Sequence, residues 1–224
     1  MGKGGFASCF KVIKVSAEKE IYACKVISKE SLKPFNRKEK LELEITLQKE
    51  LNHKNIVKLE HFFEDNTNVY ILLEFCPHQS LHDFIKRREY LSELEARYFM
   101  LQLIQGVQYM QNKSVLHRDL KLGNVFMGND MQLKIGDFGL AVKLQRNERR
   151  KSFCGTPNYM APEVVLNNHK VGGGHGQEYG LGVDVWALGL FMFNFIEGKN
   201  PFHNGDLTRT YNRIVKGEFE FSSD

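Results

Sequence analysis

The sequence predicts an α+β protein of two lobes, a small strand-rich lobe with one helix and a larger, mainly helical lobe. Short β-type runs separated by polar turns fill the first third of the chain. After Cys76-Pro77 the apolar residues recur at helical spacing instead. The change at residues 74–78 indicates a hinge. We therefore expect residues 1–75 to form the first lobe and residues 76–224 to form the second.

The first lobe is predicted to contain four strands and one helix. The predicted strands are Cys9–Val15, Ile21–Ser28, Leu59–Glu64 and Val69–Phe75. A helix is predicted over Asn36–Leu51, which is rich in Lys, Glu, Leu and Gln. Its residues Leu41, Leu43, Ile45 and Leu47 alternate as they would in a strand. The length and the charge of the segment favour the helix.

The second lobe begins with a clear helix start. Ser92 and Glu95 form a capping box in front of a segment with apolar residues on one helical face. Two short strand-like pieces, Val125–Met127 and Leu133–Ile135, flank a turn at residues 128–130. The segment Val183–Ile196 is almost wholly apolar, so we expect a helix buried on all sides.

The composition is that of an ordinary globular protein, with 224 residues of which 42% are hydrophobic and 26% charged. The net charge of +4 is small, and the basic residues are interleaved with acidic ones along the sequence. No nucleic-acid partner is therefore expected. No apolar run is long enough to cross a membrane, and the first six residues lack the apolar core of a signal peptide. The four cysteines show no metal-type or redox-type spacing, which favours a reduced, intracellular setting.

The most specific functional signal is the segment His117–Asn124, which reads HRDLKLGN. Phosphoryl transfer needs a cover over the phosphates, a cation on them, metal ligands and a group that orients the attacking hydroxyl. Asp119 can orient that hydroxyl or accept its proton, and Lys121 can neutralise the transferring phosphoryl group. Asn124 and Asp137 offer oxygen ligands to Mg²⁺, and Asp137 opens the sequence Asp-Phe-Gly.

Two weaker signals lie in the first lobe, and each has a plain alternative. The glycine-rich turn from Gly2 to Cys9 could bring backbone N–H groups to phosphate oxygens, or it could be an unstructured tail. Lys25 lies in an apolar strand, where Glu44 of the following helix could hold it against the phosphates. The alternative is an edge lysine on a solvated face.

A basic loop lies between Asp137 and the sequence Ala161-Pro162-Glu163, and it contains Ser152. It can be a solvated loop, and it can also be a regulatory one. In the second case, a phosphate on Ser152 would pair with Arg118 and order the loop.

Together these blocks resemble the eukaryotic protein kinase family over Gly2 to about Gly217, and within it the polo-like kinases. The polo-like resemblance rests on Ala7 and Cys9 in the glycine loop, Leu122-Gly123 in the catalytic loop and the segment Phe153–Tyr159. It implies a bilobal protein-kinase fold, cut short at both ends, with ATP and Mg²⁺ as cofactors. It also implies transfer of the ATP γ-phosphate to Ser or Thr hydroxyls of proteins, linked to cell-cycle or cytoskeletal control.

The resemblance assigns roles to residues by position. Lys25 would grip the phosphates with Glu44 as its partner, Asp119 would be the catalytic aspartate, and Asn124 and Asp137 would bind magnesium. Thr156 would bridge Asp119 and Lys121, and Asp184 would anchor the catalytic loop. The remaining implied nucleotide contacts are Gly2, Lys3, Gly4, Gly5, Phe6 and Ala7 in the loop, Cys9, Ala23 and Phe126 around the adenine, Leu73 as gatekeeper, and Glu74 and Cys76 at the hinge.

The resemblance also implies partners. An upstream kinase would phosphorylate Ser152, and the protein would be a monomer of the cytoplasm or nucleus, at the centrosome, basal body or spindle. Kinases that select arginine before the target hydroxyl often have a glutamate at the position of Gly123. We therefore expect substrates that are not arginine-directed, with acidic residues or Asn tolerated near the target.

Two alternatives remain open. The chain could be a catalytically inactive kinase fold that serves as a binding scaffold, although such folds usually lack the equivalent of Lys25, Asp119 or Asp137. It could also be a small-molecule or lipid kinase, but the segment Gly155–Glu163 resembles the peptide-docking shelf of protein kinases. If the chain is cut short, we expect Glu163 to be half-buried and unpaired.

Overall fold

The computed structural model describes residues 2–3, 7–15, 19–34, 36–168 and 176–222, with the backbone alone for residues 2–3. Gly4, Gly5 and Phe6, which the resemblance places over the nucleotide, lie outside the described residues. Within the described ranges, no helix is long and apolar enough to cross a membrane.

A five-stranded antiparallel sheet forms the small lobe, and two short hairpin-like pairs lie in the large lobe. The strands are β1 Gly2–Lys3, β2 Ala7–Ile13, β3 Ile21–Ser28, β4 Leu59–Glu64, β5 Asn68–Glu74, β6 Val115–Leu116, β7 Val125–Met127, β8 Leu133–Ile135 and β9 Val142–Lys143. The sheet order is β1-β2-β3-β5-β4, while β6 pairs with β9 and β7 pairs with β8. The bilobal fold that the sequence predicts is confirmed.

Six α-helices are found in the described part of the chain, and five of them belong to the large lobe. The helices are α1 Arg37–Lys49, α2 Leu81–Arg88, α3 Glu93–Asn112, α4 Pro162–Val165, α5 Gly182–Glu197 and α6 Leu207–Lys216. Strand β5 ends at Glu74 and α2 begins at Leu81, so the connection between the lobes runs through residues 75–80. The predicted lobe boundary between residues 75 and 76 falls in this connection and stays a prediction.

The segment with alternating leucines is a helix, as its length and charge predict. Leu41 and Ile45 are four residues apart and are both buried against the sheet, while Leu43 on the opposite face is 66% exposed. The alternation therefore does not describe one buried face of a strand. Packing of α1 against strands β3, β4 and β5 decides which leucines are covered.

The first strand of the first hairpin begins and ends two residues earlier than the sequence predicts. Strand β2 runs from Ala7 to Ile13 because Ile13 pairs with Ile21, and the backbone N–H of Lys14 already closes the turn on Glu20. Two residues of an entering strand, β1, pair with β2 through Gly2 and Cys9. The glycine-rich segment is therefore flanked by paired strands on both sides.

Helix α3 begins with the predicted capping box. The backbone N–H and the hydroxyl of Ser92 both donate to Glu95, at 2.9 Å and 2.8 Å, and the backbone N–H of Glu95 donates to the hydroxyl of Ser92 at 3.4 Å. Behind this start, α3 packs along α5 in the main core of the large lobe.

The prediction that the apolar helix α5 is buried on all sides is wrong. Val185 is 52% exposed and Ile196 is 45% exposed, and Gly189 between them is exposed as well. These residues lie on one stripe because they are spaced by four and seven positions. Sequence hydrophobicity reports that a helix is apolar, but the arrangement of its neighbours decides which stripe they cover.

The two lobes share part of one hydrophobic core. The end of α1 and the loop that follows it contribute Leu47, Leu51 and Ile56 to the cluster that also contains α3 and α5. Ile56 pairs with Ile135 of β8 through an isolated bridge, and the N–H of Val57 donates to the carbonyl of Ile135 at 2.8 Å. The small lobe is thus attached to the large lobe by packing as well as by the hinge.

Candidate active site

The site is built in the cleft between the lobes, and its first element is the lysine of β3. The Nζ atom of Lys25 lies 2.6 Å from Glu44 Oε1 of helix α1 and 4.0 Å from Asp137 Oδ1. Burial lowers the pKa of Lys25, but the carboxylates of Glu44 and Asp137 outweigh that effect and hold the pKa above its usual value. Lys25 is therefore a fixed cation beside Asp137, and not an edge lysine on a solvated face.

The second element is the catalytic-loop aspartate, which is surrounded by donors. Asp119 Oδ2 accepts from Lys121 Nζ at 2.8 Å and from the Asn124 amide at 3.0 Å. Asp119 Oδ1 accepts from the hydroxyl of Thr156 at 2.6 Å, and Lys121 also donates to that hydroxyl at 2.9 Å. The predicted bridge by Thr156 is confirmed. These three donors fix the direction of the Asp119 carboxylate.

The catalytic loop is anchored from below by Asp184 of helix α5. Its two carboxylate oxygens accept from the backbone N–H groups of His117 and Arg118 at 2.8 Å and 3.0 Å, which confirms the predicted anchor. His117 is fully buried and its Nε2 lies 3.1 Å from the carbonyl of Gly136. This contact joins the catalytic loop to the strand end that carries Asp137. Sequence reasoning named His117 within the motif but gave it no role.

The two predicted magnesium ligands lie on neighbouring segments of the cleft. Asn124 uses its amide N–H₂ to hold the side chain and the carbonyl of Asp119, which leaves its side-chain oxygen for a ligand. Asp137 has a left-handed backbone, with φ of 61°, and its side chain is half exposed. One carboxylate and one amide oxygen fit Mg²⁺, which is usually bound by one or two protein oxygens together with substrate phosphates and water.

Two of the residues predicted to surround adenine, Cys9 and Ala23, share one face of the small-lobe sheet. Cys9 pairs with Lys25, and Ala23 pairs with Leu73, so these four side chains point to the same side. Burial raises the pKa of Cys9 and raises that of Cys76 at the hinge to about 12, so both side chains are neutral thiols.

From the large lobe, the ring of Phe126 packs against Gly136, where an added Cβ would lie 3.0 Å from it. Phe126 also forms an isolated bridge with Ser80, which places it beside the connection between the lobes.

The loop with the predicted phosphosite is held in place before any phosphate is added. Arg118 donates to the hydroxyl of Ser152 at 2.9 Å, in agreement with the predicted pairing of these two residues. Tyr179, which sequence reasoning missed, lies 2.7 Å from the same hydroxyl and donates to the Ser152 carbonyl at 2.8 Å. Burial raises the pKa of Tyr179, so it stays a donor. In the sequence, Tyr179 could have been noticed only as an aromatic residue shortly before the start of α5 at Gly182.

Glu163 is half-buried. The loop from Arg150 to Glu163 is also held through main-chain contacts, including a two-way pairing of Arg150 with Tyr179 at 2.9 Å and 2.8 Å.

Comparison with known proteins identifies the family. The model of the protein kinase domain matches residues 1–223. The chain is 50% identical over 222 residues to a probable serine/threonine-protein kinase CCRP1 of Zea mays, covering 99% of this chain and 34% of that protein.

Polo-like kinases are similar to the chain over almost all of its residues. It is 44% identical over 223 residues to serine/threonine-protein kinase polo of Drosophila melanogaster, covering 99% of this chain and 37% of that protein. It is 45% identical over 225 residues to the cell cycle serine/threonine-protein kinase CDC5/MSD2 of Saccharomyces cerevisiae, covering 100% of this chain and 31% of that protein. The chain thus spans about a third of the length of these relatives. Its fold, its site geometry and these matches establish that the chain belongs to the protein kinase domain family.

Proposed function

We propose that this chain is the catalytic domain of a Ser/Thr protein kinase of the polo-like type, with a role in the cell cycle. The observation that supports this most directly is that Asp119, Lys121 and Thr156 lie within hydrogen-bond distance of one another. Lys25 of the small lobe lies 4.0 Å from Asp137 of the large lobe. The names of the relatives support the Ser/Thr class and the cell-cycle role.

In the proposed reaction, Mg-ATP supplies the γ-phosphoryl group and the chain supplies position and charge. Asp119 orients the hydroxyl of the protein substrate and accepts its proton, because its carboxylate is held in a fixed direction by three donors. Lys121 lies beside it and offsets negative charge on the transferring group. Lys25 would grip the phosphates from the other side, and Asn124 and Asp137 would hold the metal ion.

The surface beside the catalytic loop supports substrates that are not selected by arginine. A Cβ added to Gly123 would meet nothing within 4 Å, so no side chain occupies this position beside the loop. The hollow next to it is lined by Lys86, Lys121, Lys199 and His203, and none of its described lining residues is Asp or Glu. We propose that acidic residues or Asn near the target are tolerated there. A peptide-array profile dominated by arginine before the target would contradict this proposal.

We also propose that an upstream kinase activates the enzyme at Ser152. A phosphate at this position would replace the neutral contact between Arg118 and the Ser152 hydroxyl with a charge-assisted one. The loop between Asp137 and Glu163 would then be tied more firmly to the catalytic loop. Treatment with an activating kinase should raise the rate of the wild type and leave Ser152→Ala unchanged.

The decisive test is phosphate transfer from Mg-ATP to casein. The wild-type chain should transfer phosphate, and the variant Asp137→Asn should lose at least a hundredfold of the rate, as expected when a ligand of the charge-neutralising metal ion is weakened. Asp130→Asn is the matched control, because it makes the same change at an exposed carboxylate in the turn between β7 and β8. If the wild type is no faster than Asp137→Asn, the enzyme proposal fails and the scaffold alternative stands.

A further inference from the structure

A buried lysine lies behind the hinge and is not used by the chemistry described above. Lys134 is the middle residue of strand β8, between the buried residues Leu133 and Ile135, and is itself 7% exposed. A buried ammonium group is costly unless charged or polar partners compensate for the lost water. Its Nζ atom lies 2.8 Å from Glu74 Oε1 and donates to the carbonyl of Lys54 at 2.9 Å.

The first of these partners, Glu74, is the last residue of β5, and the connection between the lobes begins directly after it. The carboxylate of Glu74 also accepts from the backbone N–H of Lys58 at 3.3 Å, and the N–H of Glu74 donates to the carbonyl of Lys58 at 2.9 Å. Glu74 is therefore held by its side chain and by its backbone. Among the residues that the structure describes, the next backbone hydrogen bond after that of Glu74 is donated by the N–H of His78 to the carbonyl of Met127 at 3.2 Å.

The second partner, Lys54, belongs to the loop between α1 and β4. The next residue of this loop, Asn55, is hydrogen-bonded to β8 as well. The amide of Asn55 donates to the carbonyl of Leu133 at 2.9 Å, and the N–H of Ile135 donates to the carbonyl of Asn55 at 2.9 Å. Strand β8 leads directly to Asp137. One ammonium group thus joins three segments: the hinge, this loop and the strand that positions Asp137.

We propose that Lys134 is a positioning residue that holds the hinge at Glu74 in the geometry that binds adenine. The proposal rests on the function proposed above, because it assigns the hinge to nucleotide binding. The Lys134–Glu74 pair is present in the same structure as the Lys25–Glu44 pair at 2.6 Å. The hinge contact therefore accompanies the conformation in which Lys25 is held in the cleft. A hinge ordered in advance loses less freedom when a nucleotide binds, which favours binding.

This role predicts a defined kinetic signature. The two partners of Lys134 lie outside the catalytic loop, so its loss should weaken binding of substrate and transition state equally. Such a change raises KM for ATP and leaves kcat unchanged. If Lys134 served only the stability of the fold, its replacement would lower the melting temperature without raising KM for ATP at unchanged kcat.

The test uses Lys134→Met in the full chain, because methionine keeps the length of the side chain and removes the ammonium group. We expect the Kd for ADP, measured by calorimetry, and the KM for ATP to rise about tenfold, as for the loss of one charged hydrogen bond. The value of kcat at saturating ATP should stay within about twofold of the wild type.

Two further variants sharpen the test. Lys58→Met is the matched control, because it removes an exposed pair with Glu60 at 2.8 Å beside the same hinge and keeps the backbone contacts to Glu74. It should leave the Kd for ADP unchanged. Glu74→Gln should weaken ADP binding severalfold, and the double variant Lys134→Met/Glu74→Gln should bind no more weakly than Lys134→Met alone, since both changes remove one interaction.

Each other outcome contradicts the proposal. Unchanged ADP binding in Lys134→Met, or a lowered kcat with unchanged KM for ATP, would show that the pair does not prepare the hinge. If Lys134→Met does not fold, Glu74→Gln decides by the same readout. A wild-type chain that binds ADP but transfers no phosphate would refute the proposed function and leave this inference testable by ADP binding, whereas a wild type that binds no ADP would refute both.

Discussion

At the scale of single residues, the site combines groups that are distant in the sequence with a strained backbone. Arg118 and Asp137 both have left-handed backbone angles, with φ of 68° and 61°, which residues other than glycine rarely adopt. Such strain persists only where the surroundings determine the conformation, as the contacts of Asp184 with the loop do here. Of these two residues, Arg118 contacts the predicted phosphosite Ser152, and Asp137 is a predicted ligand of the metal ion.

Thr156 offers a prediction at this scale. Replacement by valine keeps the size of the side chain and removes the hydroxyl that contacts Asp119 and Lys121. We expect kcat on casein to fall about tenfold to a hundredfold, because the direction of Asp119 is then less well defined, while KM for ATP stays unchanged. Thr156→Ser restores the hydroxyl and should keep most of the activity. A valine variant with wild-type kcat would show that the bridge does not position Asp119.

At the scale of elements, helix ends follow local rules closely. Both α2 and α3 begin with a capping box, formed by Ser80 with Asp83 and by Ser92 with Glu95. In each, an N-cap hydroxyl and a carboxylate three residues later satisfy backbone N–H groups that the helix cannot. These starts are local in sequence, so the capping box of α3 could be predicted from it.

The cap of α3 gives a prediction for stability. Ser92→Ala should destabilise the chain by about 1 kcal/mol. That corresponds to a fall of about 2–4 °C in the melting temperature for a chain of this size. Ser92→Asn, which keeps an N-cap acceptor, should recover most of the loss. Equal melting temperatures for Ser92→Ala and the wild type would show that the box contributes nothing to the folded state.

The same cap should make stability depend on pH. The backbone N–H of Ser92, together with its hydroxyl, lowers the pKa of Glu95 below its usual range. The stabilisation is therefore complete above the unfolded pKa of about 4.3 and is lost as the pH falls through the lower folded pKa. Urea unfolding should show the wild type more stable than Glu95→Gln at pH 7, with the difference shrinking below pH of about 4. Glu93→Gln, which lies outside the capping box, is the control. A difference in stability between the wild type and Glu95→Gln that stays constant with pH would contradict the prediction.

At the scale of the whole molecule, the lobes are coupled by a shared core as well as by the hinge. Ile56 comes from the small-lobe side of the chain but packs in the cluster of the large lobe and pairs with Ile135. The proposed hinge contact of Lys134 lies beside the same junction. The lobes should therefore unfold together.

Ile56→Ala tests this coupling. Ile56 is 1% exposed, so its truncation should cost about 2–5 kcal/mol and should keep a single unfolding transition. Leu43→Ala is the matched control, because Leu43 lies on the exposed face of α1 and should change stability by less than about 0.5 kcal/mol. Two separate transitions in calorimetry, or a loss as small as that of the control, would show that the lobes do not share this core.

Much of the fold could be predicted because its signals are local. Strands β3, β4, β7 and β8 have the predicted bounds, and α1 and α3 lie where composition and capping place them. The bounds of β2 are wrong because pairing with β3, and not propensity, decides where that strand ends. The exposed stripe of α5 was missed because hydrophobicity does not say how many sides of a helix its neighbours cover.

The sequence by itself determined which reaction this chain could support. The residues His117–Asn124, Asp137 and Lys25 have the chemistry of phosphoryl transfer and occur in an order that marks the family. Only the tertiary structure decided how they meet: Thr156 contacts Asp119 from another loop, Asp184 holds the catalytic loop from α5, and Lys134 reaches the hinge from β8. These contacts join residues that are far apart in the chain, and burial and packing determine them more than local preference does.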